Sequence, residues 1–132
     1  MTLVDFQAAH LDGVLDLCRA EGWPSLPSDP GRALRVLTCG GGRTVVAVDQ
    51  TLVVGLCQVL SDGELQAYCS LLLVGAQFRR QGLGRTLLLT ALERAGGERL
   101  DLLAETTAVD FYRKLRHHEW AGFRIYPEPL GE

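Results

Sequence analysis

The stretch Phe78-Arg79-Arg80-Gln81-Gly82-Leu83-Gly84-Arg85-Thr86-Leu87-Leu88 places two arginines, a glutamine and two closely spaced glycines directly before an apolar run. Leu83, Leu87 and Leu88, with Ala91 and Leu92 beyond them, share one face at helical spacing. This predicts a helix that begins near Gly82 and ends at Gly96-Gly97. The first amides of a helix have no partners within it, and the macrodipole adds positive potential there. Gly82 and Gly84 bare the backbone at that point, while Arg79, Arg80 and Arg85 add charge around it. A pyrophosphate suits such a place, but so does a chain that merely turns into a helix beside solvated arginines. Spacing alone does not choose between the two. There is no Gly-Lys-Ser/Thr for a P-loop and no third glycine for the dinucleotide fingerprint, so ATP and NAD are poor candidates.

Upstream, RTVVAVDQTLVVGLCQVLSDGELQAYCSLLLV, from Arg43, is β-branched and apolar. Turn chemistry at Asp49-Gln50 and Ser61-Asp62-Gly63 divides it into three consecutive antiparallel strands. Earlier still, TLVDF reads as a strand, and Leu11, Val14, Leu15, Leu17 and Cys18 mark a helix stopped by Gly22 and Pro24. EGWPSLPSDPG reads as a loop, followed by a helix from Arg32 to Thr38 that Gly40-Gly41-Gly42 ends. This loop and helix are the expected variable wall of a pocket. Downstream, RLDLLAE predicts a short buried strand, AVDFYRKLRHHE a helix, and GFRIYP a final strand halted by Pro127 and Pro129. The order β-α-α-β-β-β-α-β-α-β describes a mixed α/β (α+β) chain.

At 132 residues the chain has the size of one domain, so residues 1–132 are expected to form a single unit. With 47% apolar and 22% charged residues the composition is globular, and no run approaches the roughly 20 apolar residues a membrane span needs. MTLVDFQAAH does not resemble a signal peptide, so the default expectation is cytoplasmic. A net charge of −3 argues against a dedicated nucleic-acid binder. Cys18, Cys39, Cys57 and Cys69 lie far apart, with no Cys-x-x-Cys pair and no histidine at ligand spacing. They read as free, mostly buried thiols, and no metal is expected.

Arg79-Arg80-Gln81-Gly82-Leu83-Gly84 resembles the Arg/Gln-x-x-Gly-x-Gly/Ala signature of the GCN5-related N-acetyltransferases (GNAT). Leu72-Leu73-Val74 precedes it at the family's usual distance, and Phe111-Tyr112 followed by Gly122-Phe123 resembles the family's late Phe-Tyr…Gly-Phe element. The resemblance implies the GNAT fold: a mostly antiparallel sheet of six to seven strands flanked by about four helices, with a bulged fourth strand splayed from the fifth. It also implies an acetyl-CoA site. Leu72, Leu73 and Val74 would pair with the pantetheine amides as a neighbouring strand would, and Arg80, Gln81, Gly82, Leu83, Gly84, Arg85 and Thr86 would hold the pyrophosphate. Arg79 occupies the signature's first position, where its side chain can be structural.

Transfer to an amine requires loss of the amine's proton, stabilisation of the oxyanion and protonation of the leaving thiolate. By resemblance, a strand amide near Leu72 serves the oxyanion and Tyr112 protonates the thiolate. As a plain aromatic, Tyr112 would instead pack beside Phe111. Glu64 is the first candidate base, ahead of Asp62, Glu105, Tyr68 and Ser70, although Asp62-Gly63-Glu64 also reads as an ordinary polar turn. Glu105 stands where several family members carry a cofactor-contacting Asn. His117 and His118, placed late in the last helix, read as surface or satisfied residues. Trp23, Tyr68, Trp120 and Tyr126 either line an acceptor pocket or simply pack. The expected activity is acetyl transfer from acetyl-CoA to a small-molecule or protein amine, with no metal, nucleic acid or membrane partner. The rival is a noncatalytic acyl-CoA sensor or assembly module. Dimers through late strands are frequent in the family.

Overall fold

A computed structural model describes residues 1–128, in two compact units: Met1–Asp101 and the segment from Leu102 onward. The first unit is a five-stranded sheet: β1 (Thr2–Asp5), β2 (Gly42–Asp49), β3 (Leu52–Ser61), β4 (Gln66–Val74) and β5 (Arg99–Asp101). The strands lie in chain order, antiparallel except for the parallel β4–β5 pair. α1 (Leu11–Ala20), α2 (Pro30–Leu37) and α3 (Leu83–Ala95) complete this unit. None of the described helices is long and apolar enough to cross a membrane.

The apolar runs of β2 and β3 are buried on both faces, which is why they read as continuous rather than alternating. On one face Val46, Leu56 and Leu73 meet Val14, Leu17 and Cys18 of α1 and Leu37 of α2. On the other lies α3, with Leu83, Leu87, Leu88 and Ala91 buried as the leucine spacing predicts. Gly55 permits its close approach: a Cβ there would come within 2.8 Å of Leu87 Cδ1. Cys18, Cys57 and Cys69 are buried free thiols, and Cys39 is partly covered.

α2 starts at Pro30 rather than at Arg32. The Asp29 carboxylate accepts the Arg32 amide at 3.1 Å, and proline fits the first helical position because its missing N–H is one the helix would not use. β5 covers only Arg99–Asp101, shorter than the buried strand expected over RLDLLAE, and just its central residue is half-buried.

In the second unit, α4 spans only Val109–Arg113, well short of the helix expected over AVDFYRKLRHHE. After Leu115 the next positions on the apolar stripe are His118 and Glu119, so no buried face rewards another turn. Arg113 instead reaches Glu119 at 2.8 Å, and His117 Nε2 lies 3.4 Å from the same carboxylate. Both histidines therefore lie beyond the helix, and His118 stacks near Trp120 with ring centroids 4.6 Å apart. The expected strand GFRIYP does not form either: Phe123 and Ile125 are 82% and 88% exposed. Pro129, one of its two expected stops, lies outside the described residues. With that strand missing, the sheet has five strands among the described residues rather than six or seven.

Candidate functional site

β4 is paired on both sides only at its start. Gln66, Ala67 and Tyr68 pair with Arg99, Leu100 and Asp101, and from Cys69 to Val74 no strand is paired on that side among the described residues. The opening coincides with a bulge. Gln58 of β3 pairs with Leu71 and Val59 with Cys69, which leaves Ser70 as the extra residue in β4. Beyond the bulge the Gly75 amide donates to the Val54 carbonyl at 2.8 Å, which sets the phase of the ladder. Antiparallel residues alternate, so the backbone groups of Leu71 and Leu73 turn toward β3 while those of Leu72 and Val74 turn toward the open side. Of the three residues expected to offer backbone to a ligand, Leu72 and Val74 turn theirs to the open side, where the Val74 carbonyl already accepts Arg79, and Leu73 turns its own toward β3.

The loop after β4 leads into α3 through two left-handed residues, Arg80 at φ 62° and Gly82 at φ 80°. Such a conformation is ordinary for glycine and uncommon for arginine. No side chain caps α3, and its first internal bond runs from the Thr86 amide to the Gly82 carbonyl at 3.1 Å. The amides of Leu83, Gly84 and Arg85 therefore precede the ladder and point out of the helix start. A Cβ on Gly82 would meet nothing within 4 Å, so the space before these amides is open. Thr86 is exposed, and its hydroxyl donates to the Gly82 carbonyl at 3.0 Å, within the helix start itself.

The charged side chains divide. Arg80 and Arg85 are exposed beside this helix start. Arg79 is committed elsewhere: its Nε donates to the Val74 carbonyl at 3.1 Å, and its guanidinium pairs with the largely buried carboxylate of Glu21. The signature arginine thus ties the end of β4 to the residue that follows α1. Gln81 donates to the Gln77 carbonyl at 3.2 Å, holding the loop's own turn. Glu21 was not singled out in the sequence, because no local spacing links it to Arg79.

Glu64 lies in the β3–β4 turn, before β4 begins and away from the Leu72–Val74 opening. The Asp62 carboxylate organises that turn, accepting the amides of Leu65 at 2.7 Å, Glu64 at 2.8 Å and Gln66 at 3.2 Å. These bonds, led by that from Leu65, hold its pKa below the usual aspartate value. Tyr68 is half-buried on β4 beside the last β5 pair. A shallow cavity of about 450 Å³ is lined by Arg19, Gly22, Trp23, Pro24, Pro27 and Ser28 in the proline-rich loop that the sequence marks as a pocket wall. The Cys57 thiol is pushed up by its hydrogen bond to Cys69 and by burial, and so is no nucleophile.

In the second unit, Tyr112 is half-buried on α4, its ring edge-on to Phe111 with centroids 4.9 Å apart. Glu105 is exposed, and its carbonyl accepts the Ala108 amide at 2.8 Å. Trp120 and Tyr126 are 81% and 51% exposed.

A bulged fourth strand with one open edge, running into an uncapped glycine helix start, defines the class as an acyltransferase of mixed α/β fold. The acetyltransferase (GNAT) domain matches residues 40–115, and the chain belongs to the GNAT acetyltransferase family. It is 28% identical to a candidate acetyltransferase from Deinococcus radiodurans R1, over 96% of this chain and 87% of that one, with a TM-score of 0.73. A GNAT family protein from Streptococcus pneumoniae TIGR4 is 25% identical over 96% and 98% of the two chains, also with a TM-score of 0.73. AAC(6')-Iy, solved with the bisubstrate analogue CoA-S-monomethyl-acetylneamine, shares the fold with a TM-score of 0.77 at 16% identity, over 98% of each chain. No protein of curated function matches by sequence.

Proposed function

We propose that this chain, as a single cytoplasmic GNAT domain, moves the acetyl group of acetyl-CoA to a primary amine by direct attack in a ternary complex. The observation that carries the reading is the continuity of the open β4 edge at Leu72 and Val74 with the bare amides of Leu83, Gly84 and Arg85. Pantetheine amides would extend the sheet along that edge, and the pyrophosphate would lie against the helix start, with Arg80 and Arg85 adding field. The neutral amine attacks the thioester carbon, and the outward amide of Leu72 holds the oxyanion that forms; the nitrogen then gives its surplus proton to solvent, from which Tyr112 is reprotonated, and the C–S bond breaks. Tyr112 gives its proton to the departing thiolate, in keeping with its place in the Phe111-Tyr112 element. Since Arg79 is held by Val74 and Glu21, it serves the site by shaping the loop.

The acceptor class proposed is a small-molecule amine, entering by the Trp23 to Ser28 cavity. Aminoglycosides belong in the panel because a fold neighbour, an aminoglycoside acetyltransferase from an uncultured soil metagenomic sample, was solved in complex with sisomicin. Incubation with acetyl-CoA and a panel of amines, read as thiol release, should give turnover. A second reading, an acyl-CoA sensor, is favoured by the position of Glu64, the expected base, beyond the other end of β4. Acetyl-CoA binding without turnover on any amine or protein acceptor would select it.

A further inference from the structure

Gln58 is a polar residue in the middle of a central strand, 2% exposed, where an aliphatic side chain would cost less to bury. Its amide is fully used. Nε2 donates to the Val36 carbonyl in the last turn of α2 at 2.7 Å and to Thr44 Oγ1 on β2 at 3.2 Å. With both hydrogens spent on those acceptors, Oε1 faces β4, where it accepts the Ser70 hydroxyl at 2.7 Å. The reverse amide orientation would set two oxygens against each other at Val36, so the direction of the chain of bonds is determined. Ser70 is the bulge residue itself, the extra residue opposite Gln58.

We infer that Gln58 is a positioning residue for the donor site, acting through Ser70 to pin the β4 bulge; this rests on the donor-site reading above. The bulge sets the phase of the rest of β4, and a slip of one residue would exchange the groups that face β3 with those that face the open edge. Holding Ser70 out of the ladder therefore keeps Leu72 and Val74, rather than Leu73, turned toward the pantetheine. The far end of the amide ties this pin to the Val36 carbonyl in the last turn of α2, so one buried side chain joins the donor edge to the helix behind the proline-rich loop.

The pin acts on the pantetheine half of the ligand only, and this separates it from general structural support. Binding is measured for acetyl-CoA and for 3′-phospho-ADP, the fragment of CoA that ends at the pyrophosphate. Ser70→Ala and Gln58→Leu are expected to weaken acetyl-CoA by about three- to tenfold, the worth of a hydrogen bond, while leaving 3′-phospho-ADP unchanged. Ser70→Thr, which keeps the hydroxyl, should retain wild-type affinity. Thr44→Val removes a bond to the same amide on the side away from β4, and should lower the melting temperature without moving either affinity. Unchanged acetyl-CoA affinity in folded Ser70→Ala and Gln58→Leu, or equal weakening of both ligands, overturns the inference. Wild-type protein that binds neither ligand overturns the donor-site reading beneath it.

Discussion

α2 and α3 begin in opposite ways. At α2 the Asp29 carboxylate takes an amide and Pro30 removes a donor, so the helix start is closed by its own chain. At α3 a left-handed glycine stands at the cap with no side-chain bond, and the first amides are left to the space in front of them. The difference separates a helix end closed by its own chain from one left open, where the proposed pyrophosphate would lie. The β3–β4 turn belongs with α2, since Asp62 gathers three amides there just as a cap would.

The contrast breaks most visibly if α3 is given an acid of its own. Gly82→Asp puts a carboxylate before the bare amides and should reduce acetyl-CoA affinity roughly a thousandfold, as like charges brought together at a binding site cost several kcal/mol. Retained affinity by calorimetry would show that the helix start is not the phosphate site. Tyr112→Phe sharpens the contrast by separating holding from chemistry. It should lower kcat by about a hundredfold while acetyl-CoA affinity stays put, and equal losses in both would place Tyr112 among the binding residues. Asp29→Ala, at the closed helix, should cost about 1 kcal/mol of stability in denaturant unfolding and leave ligand affinity alone.

The smallest effect expected is at Asp62. Its folded pKa is depressed by the amides of Leu65, Glu64 and Gln66, so the stability it contributes is fully present above the unfolded aspartate value near ~3.9. That contribution is lost as pH falls through the lowered folded value. The melting-temperature gap between wild type and Asp62→Asn should therefore be constant above about pH 5 and shrink below about pH 4. A gap that does not change with pH would show that the turn is held by something other than the ionised carboxylate.

Motifs made of neighbours were legible in the chain. Gly82 before a leucine stripe could be read because a left-handed turn, a helix start and an amphipathic face are all local events, and Leu72-Leu73-Val74 because a buried strand is a continuous apolar run. The start of α2 lies two residues before the expected Arg32, because Asp29 caps the helix and Pro30 serves its first position as readily as a proline serves a turn. The longer α4 and the last strand were overread. Leu115, Trp120, Phe123 and Ile125 have the right residue types, but neither element gains a buried face to hold it, and burial is what decides for short segments.

The residues themselves determined the order of elements from β1 to α4, the family and the place where a helix begins with bare amides, because each can be read from residues close together in the chain. Only the tertiary structure decided that Ser70 is the bulge, that Leu72 and Val74 rather than Leu73 face outward, and that Arg79 is spent on Val74 and Glu21. It also decided that Glu64 lies away from the open edge. These outcomes depend on register and on hydrogen bonds between residues far apart in the chain, such as Gln58 with Val36 and Ser70. A one-residue slip reverses them without changing a single letter of the sequence.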